Sequence, residues 1–409
     1  MKIQLSAPPS GLLNAKVKIT GSKSESNRLL LLKALYADIT IENCSNSDDA
    51  QVMQKGLAVS KGTVDIHHAG TAMRFLTAYF ASQEGKEVLL TGSQRMTERP
   101  IKILVEALTQ LGAAIEYAQE EGYPPLRIRG KKLTQHRVRL PANVSSQYIS
   151  ALLLIAPQLT NGLTLELEGK ITSVPYIKMT LALLTQIGVT TAFEGNVISV
   201  KPLGESKPST LVVESDWSSA SYFYGIVALC ELGTTIRLSA YKKDSLQGDS
   251  CLADVYRSFG ISTTYENHEI ILEKVSNQLP KVFEADLSNA PDIAQTLAVS
   301  CFGLGVQCHI TGLHTLKIKE TDRLEALKEE LSKLGAQISV SNDTLTLQAA
   351  SAIEKNVTIA TYNDHRMAMA FAPLALKTPI FIEDAEVVSK SYPDFWSDLE
   401  ALQLGVKSI

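Results

Sequence analysis

The chain alternates between two kinds of apolar segment, and each kind predicts a different type of helix. The first kind is apolar around most of its circumference, which is typical of a helix buried on every side. Each of these segments begins with small or polar residues, and after a shorter first step they recur roughly every 72–75 residues, the period of a supersecondary unit. The six starts lie near Ser24, Thr71, Ser145, Ser218, Asn289 and Asp364.

The second kind of segment is amphipathic and ends in glycine. In the clearest example, leucines recur at helical spacing over residues 324–334, and Gly335 follows where a left-handed backbone is favoured. Two short stretches of alternating polarity with a polar turn then predict a pair of strands over residues 337–347. Amphipathic segments of the same kind end at Gly112, Gly188 and Gly260.

The joint recurrence of both helix types predicts an α/β protein built from six similar units. A chain of 409 residues is too long for one ordinary core, so we expect two pseudo-symmetric domains of three units each. The buried helices would run parallel inside each domain, with sheets and amphipathic helices outside. The polar residues at their N-terminal ends would then meet in the cleft between the domains. The alternative is an ordinary α/β protein with chance periodicity.

The composition limits the classes of function. The net charge of −4 provides no basic field for nucleic acid, so any anion must be bound by individually placed residues. The five cysteines show no zinc-ligand spacing, which predicts reduced thiols and no metal site. The first ten residues lack a hydrophobic signal region, and no apolar run approaches 18 residues. We therefore expect a cytoplasmic protein that binds neither nucleic acid nor membrane.

Cations accumulate at the predicted helix starts. In the first one, Lys23 and Arg28 flank hydroxyl residues ahead of a buried leucine run, an arrangement that suits a phosphate. A capped helix with solvated cations remains the alternative. Since a cation opposes the dipole at a helix N-terminus, its repeated placement there suggests anionic ligands. Asp292 and Glu320 lie among these cations, and for each carboxylate a dipole role and proton transfer both remain open.

Taken together, five of these segments resemble the signature segments of the 5-enolpyruvylshikimate-3-phosphate synthases. They are Gly21–Arg28, Ala69–Arg74, Arg95–Pro100, Lys319–Arg323 and Asn363–Met367. The resemblance implies an inside-out α/β barrel of three βαβαββ-like repeats in each domain. It also implies that the chain crosses between domains twice. Residues 1–20 and 215–409 would form one domain and residues 21–214 the other, with the active site in the cleft between them.

The resemblance implies transfer of the enolpyruvyl group of phosphoenolpyruvate to the 5-hydroxyl of shikimate 3-phosphate, through a tetrahedral intermediate that loses phosphate. This is a step of chorismate and aromatic amino-acid biosynthesis in the shikimate pathway. No cofactor and no metal are implied, glyphosate is the expected inhibitor, and a monomer is expected. Clustered cations would offset the repulsion among two phosphates and a carboxylate.

The resemblance also assigns residues to the two substrates. Those expected to bind phosphoenolpyruvate are Lys23, Gly70, Arg95, Gln147, Arg323, Arg366 and Lys390. Those expected to bind shikimate 3-phosphate are Lys23, Ser24, Arg28, Ser145, Ser146, Gln147, Ser173, Tyr176, Asp292 and Lys319. Asp292 would accept the proton of the 5-hydroxyl, and either Glu320 or Lys23 would exchange a proton at C3.

Three positions depart from the family pattern. His68 and Thr315 stand where asparagine is frequent, and Phe75 stands where proline is common. The shorter Thr315 side chain puts a shikimate 3-phosphate contact in question, and Phe75 is a candidate modifier of glyphosate inhibition.

The nearest alternative is the related enzyme that adds enolpyruvate to UDP-N-acetylglucosamine. That family carries a loop cysteine in the stretch before Arg95, where this chain has Gly92, Ser93 and Gln94. A non-enzymatic, nucleic-acid-binding scaffold of repeated α/β units would require basic inner helices and a positive net charge. The inner segments here are apolar and the charge is negative. Enolpyruvyl transfer to shikimate 3-phosphate is therefore the favoured function.

Overall fold

The chain folds into two compact units. The computed structural model describes residues 1–11, 13–141, 145–169, 171, 173–204, 206–350 and 352–409. Unit 1 comprises Met1–Gly21 and Glu214–Ile409, and unit 2 comprises Ser22–Val213. The chain therefore passes from one unit to the other twice, between residues 21 and 22 and between residues 213 and 214.

Short strands and helices alternate along the chain. The strands are β1 (Ile3–Ser6), β2 (Asn14–Val17), β3 (Ile39–Glu42), β4 (Lys61–Asp65), β5 (Glu87–Thr91), β6 (Ala114–Tyr117), β7 (Leu126–Arg129), β8 (Arg137–Pro141), β9 (Leu163–Glu168), β10 (Thr191–Glu194), β11 (Val197–Val200), β12 (Ser209–Val212), β13 (Thr235–Ser239), β14 (Ile261–Glu266), β15 (Glu269–Lys274), β16 (Val282–Asp286), β17 (Gln307–Thr311), β18 (Ile338–Val340), β19 (Leu345–Leu347), β20 (Thr358–Ile359), β21 (Ile380–Ile382) and β22 (Gly405–Ser408).

The helices fall into longer α-helices and short 3-10 turns. The α-helices are α1 (Lys23–Leu35), α2 (Asp48–Leu57), α3 (Gly70–Ser82), α4 (Gln94–Thr97), α5 (Lys102–Gln110), α6 (Ser146–Ile155), α7 (Val174–Gln186), α8 (Trp217–Leu229), α9 (Leu252–Val255), α10 (Ala294–Leu304), α11 (Arg323–Lys333), α12 (His365–Phe371) and α13 (Phe395–Ala401). The 3-10 helices are Ala156–Gln158, Gly248–Cys251, Tyr256–Phe259, Pro291–Ile293, His314–Ile318, Ala372–Leu376 and Ala385–Lys390. No helix in the described ranges combines the length and apolar character needed to span a membrane.

Within the described residues, each unit contains three sheets. In unit 1 the strand orders are β20-β21-β1-β22, β14-β15-β13-β2 and β16-β17-β19-β18. In unit 2 they are β4-β5-β7-β6, β10-β11-β9-β8 and the two-stranded β12-β3. Among the described strands, every sheet has one parallel pair, and the other neighbours are antiparallel.

A buried helix follows one strand of each described parallel pair. In four of the six repeats, the buried helix connects the two strands of the parallel pair, as α3 connects β4 and β5. In the other two repeats, the strands on either side of the inner helix pair with strands from a distant part of the chain. This happens where the chain passes between unit 1 and unit 2. Strand β2 precedes α1 but pairs with β13 in unit 1, whereas β3 follows α1 and pairs with β12 in unit 2. The six-fold repeat is thus preserved, although two of the repeats combine strands that are far apart in the chain.

The fully apolar segments form the inner helices, as predicted. Helices α1, α3 and α6 contact one another in unit 2, and α8, α10 and α12 do so in unit 1. Every residue of α8 is buried, and most residues of the other five are buried as well. Because an apolar helix with no polar face must be covered on all sides, each set forms the centre of its unit. The α/β fold class predicted from the repeat is therefore confirmed.

The glycine-ended amphipathic helices also occur as predicted, with one difference. Helix α11 buries Leu324, Leu327 and Leu331, and Gly335 follows with a φ of 96°. The segment that ends at Gly260 is instead a four-residue α-helix continued by a 3-10 helix.

Candidate active site

Lys23 is the first residue of α1 and forms an ion pair in unit 2. Its Nζ lies 3.3 Å from Oδ2 of Asp49, which is in the first turn of α2. Both side chains are largely buried. Sequence reasoning did not identify Asp49 as a partner, although two consecutive aspartates at a helix start are a visible signal.

Arg28 lies one turn further along α1 and is held by neutral groups. Its Nε donates to the Thr180 hydroxyl (2.8 Å), and Nη1 donates to the Ser24 carbonyl (2.8 Å). Its Nη2 donates to the Ser150 hydroxyl (3.0 Å) and the Tyr176 carbonyl (3.3 Å). Within the described residues, no carboxylate lies at ion-pair distance from this guanidinium. Burial lowers the pKa of Arg28 to about 10, so the cation remains charged at neutral pH.

Aromatic rings cover the same guanidinium. The Cζ atom of Arg28 lies 5.4 Å from the ring centroid of Phe75 and 5.9 Å from that of Tyr176. These distances are within the range of cation–π interactions. Phe75, one of the departures from the family pattern, therefore packs against a predicted substrate-binding residue. Of the other two departures, His68 Nδ1 lies 2.8 Å from the Ser93 hydroxyl, and the buried Thr315 hydroxyl has no hydrogen-bond partner within the described residues.

The start of α6 brings further predicted residues next to α3. Ser145 caps α6 by accepting a hydrogen bond from the backbone N–H of Gln147, and Ser146 is the first helical residue. The Gln147 side chain donates from Nε2 to the Thr71 hydroxyl at 3.2 Å. Thr71 follows Gly70 in the first turn of α3, so the N-terminal ends of these two helices are joined.

Ser173 has a strained backbone. Its φ of 52° and ψ of 41° place it in the left-handed region immediately before α7. Non-glycine residues in this region cost energy and cluster at functional sites. Ser173 is buried, and its carbonyl accepts a hydrogen bond from the backbone N–H of Tyr176. The geometry fits the predicted role of this residue in binding a ligand.

Arg95 lies apart from the other predicted residues of unit 2. It belongs to the short helix α4, its side chain is 45% exposed, and Nη1 pairs with Glu98 Oε2 at 3.1 Å. No other predicted site residue in the described part of unit 2 hydrogen bonds with it. In contrast, Arg99 is only 9% exposed and lies against Gly70. The sequence indicated both arginines, but only Arg95 was assigned to a substrate.

In unit 1, Arg323 organises a network of three carboxylates. This buried residue starts α11 and donates from Nη1 to Asp292 (2.9 Å), from Nη2 to Glu320 (2.9 Å) and from Nε to Asp364 (2.7 Å). Burial lowers the pKa of Arg323, but the three carboxylates outweigh burial and hold it above its ordinary value. Sequence reasoning placed Asp364 only at the start of a helix. Its second role could not be seen because its partner lies 41 residues away.

Asp292 joins this network to Arg366 and Lys319. Its Oδ2 lies 3.3 Å from Arg366 Nη2, and its Oδ1 lies 3.7 Å from Lys319 Nζ. Burial alone would raise the pKa of Asp292. Arg366, Lys319 and Arg323 outweigh that effect and hold the pKa well below its usual range. Asp292 is therefore ionised at neutral pH but is a weak base in this arrangement.

Arg366 connects the network to a second buried carboxyl group. Its Nη2 donates to the Ser218 hydroxyl (3.3 Å), and Ser218 in turn donates to Asp249. Burial, with a smaller contribution from nearby Asp292, raises the pKa of Asp249 to about 7. The other carboxyl oxygen of Asp249 is buried without a hydrogen-bond partner within the described residues. Asp249 was missed from the sequence.

Lys390 lies next to the start of α12. Its Nζ donates to the carbonyl of Asn363 at 2.5 Å. Tyr362 and Asn363 have φ values of 54° and 55°, so two consecutive non-glycine residues are left-handed directly before Asp364 caps α12. Lys390 thus holds this strained turn, and Arg366 lies in the first turn of the helix that follows it. The described residues contain no group of three or more potential metal ligands.

Comparison with known proteins identifies similar chains over the full length. The family model described as EPSP synthase (3-phosphoshikimate 1-carboxyvinyltransferase) matches residues 55–399. Curated 3-phosphoshikimate 1-carboxyvinyltransferases from two Bacteroides fragilis strains, YCH46 and ATCC 25285, are 46% and 47% identical. Each alignment covers 100% of this chain and 99% of the relative. The enzyme of the same name from Colwellia psychrerythraea is 35% identical, with 97% and 98% covered.

Solved structures show the same fold. Two structures of EPSP synthase from Acinetobacter baumannii superpose with TM-scores of 0.78 and 0.79 and cover 100% of both chains. At 20% sequence identity, this similarity supports the fold assignment alone.

Proposed function

The chain belongs to the EPSP synthase family, and from this membership we propose how its charged residues divide the work of the reaction. The enzyme transfers the enolpyruvyl group of phosphoenolpyruvate to the 5-hydroxyl of shikimate 3-phosphate and releases phosphate, a step of the shikimate pathway. The observation that carries this conclusion is the full-length match to curated carboxyvinyltransferases at up to 47% identity.

In this proposal the residues of unit 2 bind shikimate 3-phosphate and contribute to phosphoenolpyruvate binding. Arg28 and the hydroxyls of Ser145, Ser146 and Ser173 suit a phosphate and neighbouring ring hydroxyls. Tyr176 would lie beside the shikimate ring. The proposal is supported by the charge balance at Arg28, where described neutral groups hold the cation and none of them neutralises it. Lys23, Gly70, Arg95 and Gln147 would bind phosphoenolpyruvate.

The charged residues of unit 1 have a different proposed task. Arg323, Arg366 and Lys390 would bind the anionic groups of phosphoenolpyruvate, and Lys319 would contact shikimate 3-phosphate. Carboxylates of the protein form ion pairs with both Arg323 and Arg366. A substrate anion that engages the same cations would weaken their hold on Asp292. The pKa of Asp292 would then rise towards the range of a useful general base.

The proposed chemistry has two proton transfers. Asp292 accepts the proton of the 5-hydroxyl as its oxygen bonds to C2 of phosphoenolpyruvate, while C3 takes up a proton. The resulting tetrahedral intermediate then loses phosphate from C2 and the proton from C3. We assign the exchange at C3 to Glu320, with Lys23 as the alternative, because Glu320 shares Arg323 with Asp292.

The test is phosphate release from shikimate 3-phosphate and phosphoenolpyruvate. Asp292→Asn and Glu320→Gln keep the shape of each side chain and remove its basicity, so each should lower kcat by at least about 100-fold. Glu325→Gln is the matched control, since Glu325 is an exposed residue of α11 that pairs with Lys328. Near-native turnover in Asp292→Asn and Glu320→Gln would disprove both roles. Replacing the acceptor with UDP-N-acetylglucosamine should abolish phosphate release.

We also propose that glyphosate inhibits this enzyme competitively with phosphoenolpyruvate. Gly70 carries no side chain at the start of α3, so the Arg99 guanidinium lies directly against the backbone there and offers a cation to a compact anion. A dose–response curve that stays flat to millimolar glyphosate would disprove this.

We propose a cytoplasmic monomer as the working form. Light scattering after size-exclusion chromatography should give one chain of 44.4 kDa. Cell fractionation should recover activity with the cytoplasmic fraction. A stable dimer or a membrane-bound activity would contradict these two expectations.

A further inference from the structure

The N-terminal end of α3 exposes several unused hydrogen-bond donors. Its N-cap residue is Ala69, which has no side chain able to cap the helix. Within the described residues, no group accepts a hydrogen bond from the backbone N–H of Gly70, Thr71 or Ala72. Helix starts leave such N–H groups pointing at a region of partial positive charge, which favours an anion.

A buried guanidinium lies at the same place. Arg99 is 9% exposed, and its side chain makes no hydrogen bond or ion pair with any described residue. A Cβ atom built on Gly70 would lie 2.6 Å from Nη1 of Arg99 and 3.0 Å from its Cζ. The guanidinium is therefore packed directly against the Cα of the first residue of α3, where a larger residue than glycine would displace it.

The position of Arg99 is fixed by its neighbour Pro100. The Pro100 carbonyl accepts hydrogen bonds from the Tyr148 hydroxyl (2.6 Å) and from Nη2 of Arg74 (2.9 Å). Arg74 also donates to the Gly70 carbonyl (3.3 Å), which connects the segment to α3. Arg99 is thus held in place by its backbone, while its charged end is left without a counter-ion.

A charged group that is buried without a counter-ion is costly for the free protein. An arrangement of this kind is favourable when a ligand supplies the missing charge. Two kinds of donor lie close together here, a planar guanidinium and successive backbone N–H groups, and both suit a carboxylate or a phosphate. Gln147, which is expected to bind phosphoenolpyruvate, reaches the same helix turn through Thr71.

We propose that Arg99, together with the first N–H groups of α3, binds one anionic group of phosphoenolpyruvate. This inference rests on the proposed function and adds to it a binding residue that was not assigned to either substrate. Arg99 supplies the buried guanidinium at this point of unit 2, and Arg95 lies exposed on α4 with Glu98 as its partner.

The first test combines thermal unfolding with steady-state kinetics on the full-length enzyme. Arg99→Met removes the charge and keeps most of the side-chain volume. The substrate-free melting temperature should rise by about 2–4 °C, because an uncompensated buried charge is removed. The KM for phosphoenolpyruvate should increase about tenfold to a hundredfold, as expected for loss of a charge-assisted hydrogen bond. The affinity for shikimate 3-phosphate alone should stay unchanged.

Ligand titrations identify the anionic group. Inorganic phosphate and pyruvate represent the two ends of phosphoenolpyruvate, and the one whose stabilising effect is lost in Arg99→Met is the end bound by Arg99. Arg139→Met is the matched control, since Arg139 is an exposed arginine of unit 2 paired with Glu166. It should leave both the KM and these titrations as in the wild type.

A double-mutant cycle tests the contact with Gly70. Gly70→Ala should raise the KM for phosphoenolpyruvate in the wild-type background, because the methyl group displaces the guanidinium. In the Arg99→Met background the same change should have a much smaller effect. Equal effects in both backgrounds would contradict a displacement of Arg99.

Three results would overturn the proposal. They are an unchanged KM for phosphoenolpyruvate, a lower substrate-free melting temperature, and a loss confined to shikimate 3-phosphate binding in Arg99→Met. A lower melting temperature would indicate a structural role for Arg99. If the wild-type enzyme released no phosphate from the two substrates, the proposed function itself would fail. The titrations with phosphate and pyruvate would still report on the anion site.

Discussion

Unit 1 and unit 2 both carry buried arginines at the starts of helices, but they balance the charge in opposite ways. In unit 1, Arg323 is bound by three carboxylates. In unit 2, Arg28 is bound by hydroxyls and carbonyls, and Arg99 has no side-chain partner within the described residues. The Arg323 network is balanced by carboxylates of the protein, whereas Arg28 and Arg99 have no carboxylate at ion-pair distance within the described residues.

This difference indicates two ways to prepare a site for anions. Uncompensated cations attract a charged ligand strongly but cost folding stability. Compensated cations cost less and keep carboxylates in place for proton transfer. However, a ligand must then compete with those carboxylates. We expect the stability of unit 1 to depend on its ion pairs and that of unit 2 to depend more on neutral packing.

The largest loss of folding stability is expected for Arg323→Met. Removing this side chain leaves Asp292, Glu320 and Asp364 without their shared cation, since breaking a buried ion pair leaves uncompensated charge. The free energy of unfolding should fall by about 3–5 kcal/mol. Urea denaturation of the variant measures this loss. A loss below 1 kcal/mol would show that the network is not compensated in the way the distances indicate.

The second-largest effect on stability is expected for Asp249. Unlike the carboxylates around Arg323, this buried carboxyl group is not held in its ionised form. Its pKa is raised to about 7, so folding disfavours the ionised form. Its unfavourable contribution is absent below the ordinary pKa, develops as the pH rises from there to about 7, and is constant at higher pH. Asp249→Asn should therefore be more stable than the wild type, by an advantage that grows by about 2–3 kcal/mol between pH 5 and pH 8.

Urea denaturation at several pH values checks this trend. Asp292→Asn is the contrasting variant, because the pKa of Asp292 is lowered and its contribution is present above the ordinary pKa. That variant should be less stable than the wild type at neutral pH, and the difference should shrink only in acid. A pH-independent difference between Asp249→Asn and the wild type would argue against a titrating carboxyl at this place.

A smaller stability effect is expected for Arg28→Met. Its hydrogen-bond partners are neutral, so its removal leaves hydroxyl and carbonyl groups unsatisfied and breaks no ion pair, although the longer-range attraction of Glu25 is lost. The free energy of unfolding should fall by about 1–3 kcal/mol, less than for Arg323→Met. Shikimate 3-phosphate binding, measured by calorimetry, should be lost. If Arg28→Met were the more destabilising of the two, the comparison between the units would be reversed.

The smallest effect is expected from the ring that covers Arg28. Phe75→Leu removes the aromatic face 5.4 Å from the Arg28 guanidinium and keeps an apolar side chain in the core. A double-mutant cycle with Arg28→Met should give a coupling energy of about 0.5–2 kcal/mol. Additive losses would mean that Phe75 acts by packing alone. Glyphosate inhibition curves for the same variants test whether Phe75 modifies inhibitor binding.

Much of the fold could be predicted because the signals are local. The apolar runs predicted the inner helices, and the leucine spacing with Gly335 predicted the limits of α11 to within two residues. The C-terminal helix α13 ends without such a signal. There, Gln403 takes the left-handed position after α13 with a φ of 64°, and Gly405 lies inside β22. A hydrogen-bonding context can impose that conformation on other residues, which composition does not reveal.

The site was predicted only as a set of residue types near helix starts. Lys23, Arg28, Arg323 and Arg366 lie at or close to the beginnings of helices, as their neighbouring cap residues indicated. Their ionic and neutral partners could not be predicted. Asp364 lies 41 residues from Arg323, and Thr180 lies 152 residues from Arg28. Which of many carboxylates or hydroxyls comes into contact is decided by packing between helices.

The sequence by itself determined the six-unit α/β organisation, the inner helices and the positions of cations at their starts. These features depend on the periodicity of side chains along one segment, which the order of residues specifies directly. Only the tertiary structure decided that β2 pairs with β13 and β3 with β12. It also decided that carboxylates balance the charge of Arg323, and that Arg99 is buried without a counter-ion within the described residues. Such pairings depend on which distant surfaces fit together, because burial and charge act between segments brought close by folding.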